Sequence, residues 1–312
     1  MRAPSLLTAA RKLDAGLWAA LGSSLLWGTL PLYWYLLRDV SPYLILGHRI
    51  VWSCLFLFPL IVITRRMKEV VSAGKDAKTL RGLFCSSIVL AGNWGLFIWA
   101  VNNGRVLETS LGYYICPLIT ICFGIIIFRD RPTRTQGIAI ILAFIGVTAE
   151  VLINGVLPVA GLAMGSLFSV YAVLRKLAPV ESLPGLALET LILCPFALAF
   201  IIWTGCNTPV AAWGKDTSQV LLLMGTGVAT SVPLILYAYG ARHLPFTTLG
   251  ILQYISPTCS FLLGIFVFHE AFTVGRAVSF VAVWTALAIY TVGSFRARKK
   301  AAEFAAMNTS NE

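Results

Sequence analysis

Few residues of this 312-residue chain could do chemistry, and the ones that could are isolated polar side chains in apolar surroundings. Arg49, Glu108 and Glu189 each fall inside a long apolar stretch, where a charge is costly enough to require a partner or a function. Arg49 lies about six residues into such a stretch, roughly 9 Å deep at 1.5 Å of rise per residue. Glu108 falls in the first turn of another stretch, where the helix dipole favours a carboxylate, so an Arg49–Glu108 pair near one membrane face is geometrically plausible. Three readings stay open: a structural ion pair, snorkelling of Arg49 to the interface, or an Arg49 that binds an anionic or carboxylate group of substrate or switches partners between states. Glu189 is too far in depth to reach Arg49. Its expected partners are Arg175 and Lys176, and its sharper role is a proton-coupling carboxylate. His48 could also titrate, although a lone interfacial His is more often structural.

What is missing narrows the chemistry. No GxSxG, HExxH or GxxxxGK[ST] motif occurs, the three His are widely separated, and no CxxC or His/Cys metal spacing exists. An enzyme and a primary pump are therefore disfavoured, and no cofactor or metal is expected. Six of the seven cysteines fall in apolar stretches and only Cys206 in a predicted outer loop, so no extracellular disulfide framework forms.

The elements that position these residues follow from composition. Hydrophobic residues make up 58% of the chain and charged ones 12%, with mean hydropathy +0.83, which excludes a soluble enzyme and intrinsic disorder. Apolar stretches at 17–37, 43–63, 82–101, 107–128, 136–153, 157–174, 184–203, 217–238, 246–268 and 275–295 predict ten membrane-spanning helices. With the N-terminus cytoplasmic, the inner segments hold nineteen Lys and Arg, clustered at 2–12, 65–81, 129–134, 175–176, 242 and 296–300. The outer loops hold four: Arg38, Arg105, Lys215 and Arg276. Both termini are expected in the cytoplasm. The net charge of +11 then reflects topology, and no nucleic-acid partner is implied. The basic residues 296–300 would lie near anionic headgroups, followed by a disordered end.

An internal duplication organises the spans. A shift of 140 residues places Tyr114-Ile115-x-Pro117 on Tyr254-Ile255-x-Pro257, Gly124 on Gly264, Phe128 on Phe268 and Asp130 on Glu270. The halves are 17–153 and 157–295, with a short cytoplasmic segment 1–16 before them and a tail 296–312 after. Five spans is an odd number, so the halves sit in opposite orientations, the arrangement of secondary transporters. In the fourth span Tyr113, Cys116, Pro117, Thr120 and Gly124 share a helical face, as do Gln253, Ser256, Pro257, Ser260 and Gly264 in the ninth. Small faces pack helices closely. A mid-helix Pro also frees backbone carbonyls, which Tyr113 and Gln253 could direct into a cavity.

These residues resemble the drug/metabolite transporter superfamily with EamA-type repeats. His48-Arg49-Ile50-Val51-Trp52-Ser53, Asn93-Trp94 through Trp99-Ala100-Val101-Asn102, Leu107-Glu108-Thr109-Ser110-Leu111-Gly112-Tyr113, Leu174-Arg175-Lys176, Glu189-Thr190-Leu191 and Leu252-Gln253-Tyr254-Ile255-x-Pro257-Thr258 look like its RarD branch. The resemblance covers about residues 17–295. It implies a ten-helix permease of the bacterial inner membrane with a central path lined by both halves, and it implies little about substrate. Asp130 ends the first repeat where the superfamily usually has Glu, a change that keeps the carboxylate.

The expectation is thus an all-α membrane protein of two inverted five-helix EamA-type repeats, transporting a small organic metabolite or drug by alternating access. The pathway candidates are Arg49, Asn93, Trp94, Glu108, Tyr113, Tyr114, Pro117, Glu189, Gln253, Tyr254 and Pro257. Asp130 and Glu270 are read as loop clasps near Arg131 and Arg276, and Trp18, Trp34, Trp203 and Trp213 as interfacial belts. A membrane sensor or scaffold without flux is the alternative. The partners are the lipid bilayer and an unidentified small-molecule substrate, and pairing into a homodimer is left open.

Overall fold

The computed structural model describes residues 6–103, 105–155, 158–208, 212–268 and 274–309. All regular structure among them is helical: α1 (Leu6–Leu36), α2 (Pro42–Ile63), α3 (Met67–Lys75), α4 (Ala77–Asn102), α5 (Val106–Ile126), α6 (Arg134–Asn154), α7 (Val159–Leu177), α8 (Ser182–Asn207), α9 (Thr217–His243), α10 (Phe246–Gln253), α11 (Ile255–Phe266) and α12 (Val274–Thr309). Among the described residues, seven helical segments are long and apolar enough to cross a membrane, and Gly112–Ile126 and Ala277–Gly293 are shorter apolar helices.

The elements depart from the sequence expectation in four places. Helix α1 begins at Leu6, because Ala, Leu, Arg and Lys before residue 17 are strong helix formers. Segment 64–81, expected as a loop, contains α3, with Glu69 in its first turn and Lys75 in its last, matched to the helix dipole. The stretch 246–268 is two helices that meet at Tyr254. Pro257 has no N–H to offer the carbonyl of Gln253 four residues back, and the helix breaks there. The tail read as disordered is helical to Thr309, since residues 296–309 hold good helix formers and neither Gly nor Pro.

Several helix ends are closed by side chains. Thr133 and Gln136 form a reciprocal capping box on α6, and Gly155, at φ 66°, ends that helix in the left-handed conformation. Asp216 accepts from the Gln219 amide at 2.8 Å to cap α9. Asp76 caps α4, accepting from the Thr79 amide at 3.1 Å and the Thr79 hydroxyl at 2.5 Å. Those bonds hold its carboxyl below the ordinary 3.8. A depressed pKa means the cap stabilises at neutral pH and is lost as pH falls through the folded value. Asp76→Ala should therefore speed hydrogen exchange at the Thr79 amide near neutral pH and lose that effect at a pH low enough to protonate the carboxyl. Equal effects at both pH values would refute this assignment.

Packing pairs helices that are distant in sequence. The most extensive contacts are α6 with α12, α5 with α7, α1 with α9, α2 with α9, α2 with α8, α4 with α7, α5 with α10 and α1 with α11. Small residues allow the close approaches. A Cβ on Gly112 would stand 2.7 Å from the Gly161 Cα, one on Gly165 3.1 Å from the Cys116 Cα, and one on Gly250 2.8 Å from the Pro117 carbonyl oxygen. Thr120 and Ser169 hydroxyls meet at 3.0 Å in the α5–α7 contact.

Corresponding helices begin 140 residues apart: α2 and α8 at Pro42 and Ser182, α4 and α9 at Ala77 and Thr217, α5 and α10 at Val106 and Phe246, α6 and α12 at Arg134 and Val274.

Candidate functional site

Arg49 projects from α2 into the space between α1, α4 and α9. Its Nε donates to the Thr230 hydroxyl at 2.9 Å. Its guanidinium carbon stands 5.0 Å from the Trp34 ring centroid and 4.7 Å from that of Trp94. Tyr113, half exposed on α5, is within electrostatic reach of the guanidinium and packs its ring on Phe97 at 6.5 Å. Among the described residues no carboxylate forms an ion pair with Arg49. The Glu108 side chain lies outside the described residues, as do the Asn102 side chain, Glu270 and the Arg276 side chain.

Two helical turns further along α1 and α9 from Trp34 and Thr230, the rings of Trp27 and Tyr237 meet at 5.2 Å. Phe168 of α7 closes on both, at 5.3 and 5.0 Å. The Gln253 amide donates to the Tyr237 hydroxyl at 2.8 Å, while its carbonyl oxygen is buried without a partner among the described residues.

Beyond this aromatic cluster lies a buried charge pair. Arg175 and Glu189 are 3.6 Å apart with side chains 0% and 1% exposed. Glu189 also accepts from Ser86 and, at 3.3 Å, from Tyr171, and Arg175 donates to the Ser182 carbonyl at 3.1 Å. Glu189 stands 140 residues after Arg49, at the corresponding point of the corresponding helix. The same offset relates Gln253 and Tyr237 to Tyr113 and Phe97.

Further clasps close this end. Arg242 donates to the carbonyls of Ala178, at 2.9 Å, and Val180, and pairs with Glu181 at 3.5 Å. Lys176 donates to the Leu244 carbonyl at 2.6 Å and stands 4.9 Å from the rings of both Phe128 and Phe246. Asp130 accepts from the Thr247 amide at 2.9 Å, in the first turn of α10.

The other predicted residues are spread through the bundle. Asn93 donates to the Met164 carbonyl at 2.8 Å, tethering α4 to α7. Tyr114 and Tyr254 are buried in a separate core with Ala139, Ala143, Val283 and Tyr290, against α6 and α12 and apart from the Arg49 cluster. Pro117 underlies the α5–α10 crossing, and Pro257 is buried in the first turn of α11. His48 donates from Nε2 to the Ala212 carbonyl at 2.8 Å and accepts the Trp52 indole N–H at Nδ1, a neutral tautomer with both nitrogens used.

Trp34, expected in an interfacial belt, instead stacks on Arg49. Trp27, Thr230, Tyr171 and Ser86 are additions made by the structure. A signal for two of them was present, since Trp27 and Trp34 are seven residues apart, as are Thr230 and Tyr237, a spacing that keeps each pair on one helical face. A groove of about 500 Å³ between α1 and α9, lined by Leu26, Leu30, Tyr33, Val228 and Val232, carries no charge and suits lipid chains better than a polar solute.

A bundle of apolar helices with its few interior charges gathered between them is a multi-pass membrane protein, and comparison with known proteins supplies its kind. Residues 14–151 match the EamA-like transporter family. Over 93% of this chain and 99% of the relative, the sequence is 36% identical to protein RarD of Salmonella typhimurium. It is 39% identical to the transporter YojE of Bacillus subtilis, over 86% of this chain and 91% of that protein. It is 30% identical to the chloramphenicol-sensitive protein RarD of Pseudomonas aeruginosa, over 92% and 97%. A solved crystal structure with 18% identity superposes at a TM-score of 0.70, covering 89% of this chain and 98% of that one, and so shares the fold. The chain belongs to the RarD branch of the drug/metabolite transporter superfamily.

Proposed function

We propose that the protein is a secondary transporter of small organic solutes, working by alternating access between two inverted five-helix halves, residues 17–153 and 157–295, with both termini in the cytoplasm. The halves take α1, α2, α4, α5 and α6, then α7, α8, α9, α10 with α11, and α12. Most of the major contacts survive exchange of the halves: α5–α7 maps onto α1–α11, α1–α9 onto α4–α7, and α2–α8, α5–α10 and α6–α12 onto themselves.

One observation carries the reading. Helix α7 packs against α9, whereas their counterparts α1 and α4 do not pack to a comparable extent. The end of the path near α7 and α9 is closed by the Trp27–Phe168–Tyr237 rings and the Arg175–Glu189 pair. The opposite end, between α1 and α4, holds Arg49. A symmetric pair of halves in an asymmetric state has a second state in which the roles reverse, and substrate need only bind both to be carried. The nineteen-to-four distribution of basic residues puts the closed end at the cytoplasm, so this state faces outward.

Counterflow in proteoliposomes tests this. A carrier gives saturable, competable exchange of a labelled solute, and absence of exchange across a broad metabolite panel would favour a sensor or scaffold.

A further inference from the structure

Interior cations near the closed end each have an oxygen partner. Arg175 has Glu189 and the Ser182 carbonyl, Lys176 has the Leu244 carbonyl, and Arg242 has Glu181 and the Ala178 carbonyl. Arg49 differs. Its Nε is taken by Thr230, but its two terminal nitrogens make no hydrogen bond or ion pair among the described residues. They are not sealed away either, since buried nitrogens without a partner occur on Arg175 and not on Arg49. A guanidinium held in place by a hydroxyl and two indole rings, with its outer edge open, is a preformed receptor for a planar oxyanion.

We infer that Arg49 with Thr230, Trp34, Trp94 and Tyr113 binds the carboxylate of an organic monoanion that carries an unsaturated or aromatic body. The charge count selects a monoanion. One cation without a carboxylate partner among the described residues neutralises one negative charge, and a phosphomonoester dianion would leave excess charge at membrane depth. The walls select the body. The indoles of Trp34 and Trp94, and Tyr113 with Phe97 behind it, offer flat faces on which a planar group stacks. This rests on the transport reading only in calling the anion a substrate; the binding site stands or falls by itself.

The test is binding to the purified full chain in detergent, read by tryptophan fluorescence and by the ligand-induced rise in thermal midpoint, with 3-phenylpropionate as probe. Wild-type protein should bind 3-phenylpropionate about 10–100-fold more tightly than uncharged 3-phenylpropanamide, the range expected of a charge-assisted hydrogen-bonded contact. Arg49→Gln should remove that difference, and Arg49→Lys should restore part of it. Equal affinity for acid and amide on wild type overturns the inference, whether or not the variants fold. Displacement of the probe by chloride at equal concentration would make the site a simple counterion site and overturns it too. Binding without counterflow of the probe keeps the site and rejects its role in transport. Loss of the acid-over-amide preference on wild type together with intact counterflow of uncharged solutes rejects the site and keeps the carrier.

Discussion

Removing the Glu189 carboxylate, as in Glu189→Ala, is expected to destabilise the protein by about 3–5 kcal/mol, because it strands the Arg175 guanidinium where no water reaches it. The cost comes from the charge left behind. Arg175 is 0% exposed, lies against the α-carbon of Gly185, and already leaves Nε without a partner. Arg175→Met alone should cost a similar amount by stranding Glu189, with Ser86 and Tyr171 as its remaining donors. Replacing both by Met and Leu of similar volume should restore most of the stability, since a buried pair seldom exceeds a well-packed apolar substitute. Unfolding of the purified protein in detergent reads all three. A single variant as stable as wild type would show that the pair is not sealed.

The double replacement also separates stability from transport. The pair stands on the far side of the aromatic cluster from Arg49, and the proposed alternating access requires that side to open. A stable double variant that exchanges solute as wild type does would remove the pair from the gate. Unchanged pH dependence of uptake in Glu189→Gln would likewise exclude proton coupling through this carboxylate.

Gly227→Val is expected to have the second largest effect, and to act on both the bundle and the Arg49 site. A Cβ at Gly227 would overlap the Trp52 carbonyl group and stand 2.7 Å from the Ser53 amide nitrogen, all backbone atoms that cannot turn away. Ser53 donates to the Gly227 carbonyl at 3.2 Å, so the two helices touch at this point. Overpacking here costs about 1–3 kcal/mol at least, by forcing α2 away from α9. Arg49 lies three residues before Trp52 and Thr230 three residues after Gly227, so the same displacement stretches the Arg49–Thr230 bond. The measured signs are a lower unfolding midpoint and, in whatever folded fraction remains, weaker 3-phenylpropionate binding. Binding at wild-type strength in a folded Gly227→Val protein would show that Thr230 does not position Arg49.

Much of this architecture is legible in the sequence. The density of apolar residues requires membrane helices, the distribution of Lys and Arg supplies an orientation, and the 140-residue offset recurs in the starts of four helix pairs. The same offset carries Arg49 onto Glu189, a correspondence present in the residues themselves. The cost of charge at membrane depth likewise picks out Arg49, Glu108 and Glu189 as residues in need of partners and offers Arg175 and Lys176 to Glu189; the structure pairs Glu189 with Arg175, while Lys176 donates to the Leu244 carbonyl. The break at Tyr254 has a local cause in Pro257, although the equivalent Pro117 sits within a continuous α5. Pro alone therefore does not decide a break.

Only the tertiary structure decided which faces meet. In a soluble helix a polar side and an apolar side mark out the core, but lipid and protein interior are about equally apolar, so hydropathy leaves a membrane helix's rotation undetermined. Tyr113 and Tyr114 are adjacent, yet one is half exposed near Arg49 and the other is buried against α6 and α12. Arg49 reaches Thr230 across 181 positions of sequence, and the two indoles beside it come from two further helices. Its lack of a carboxylate partner among the described residues follows from that assembly of four helices. The sequence by itself required that this charge be accounted for, and the packing of α1, α2, α4 and α9 determined which groups meet it and left its terminal nitrogens without a partner among the described residues.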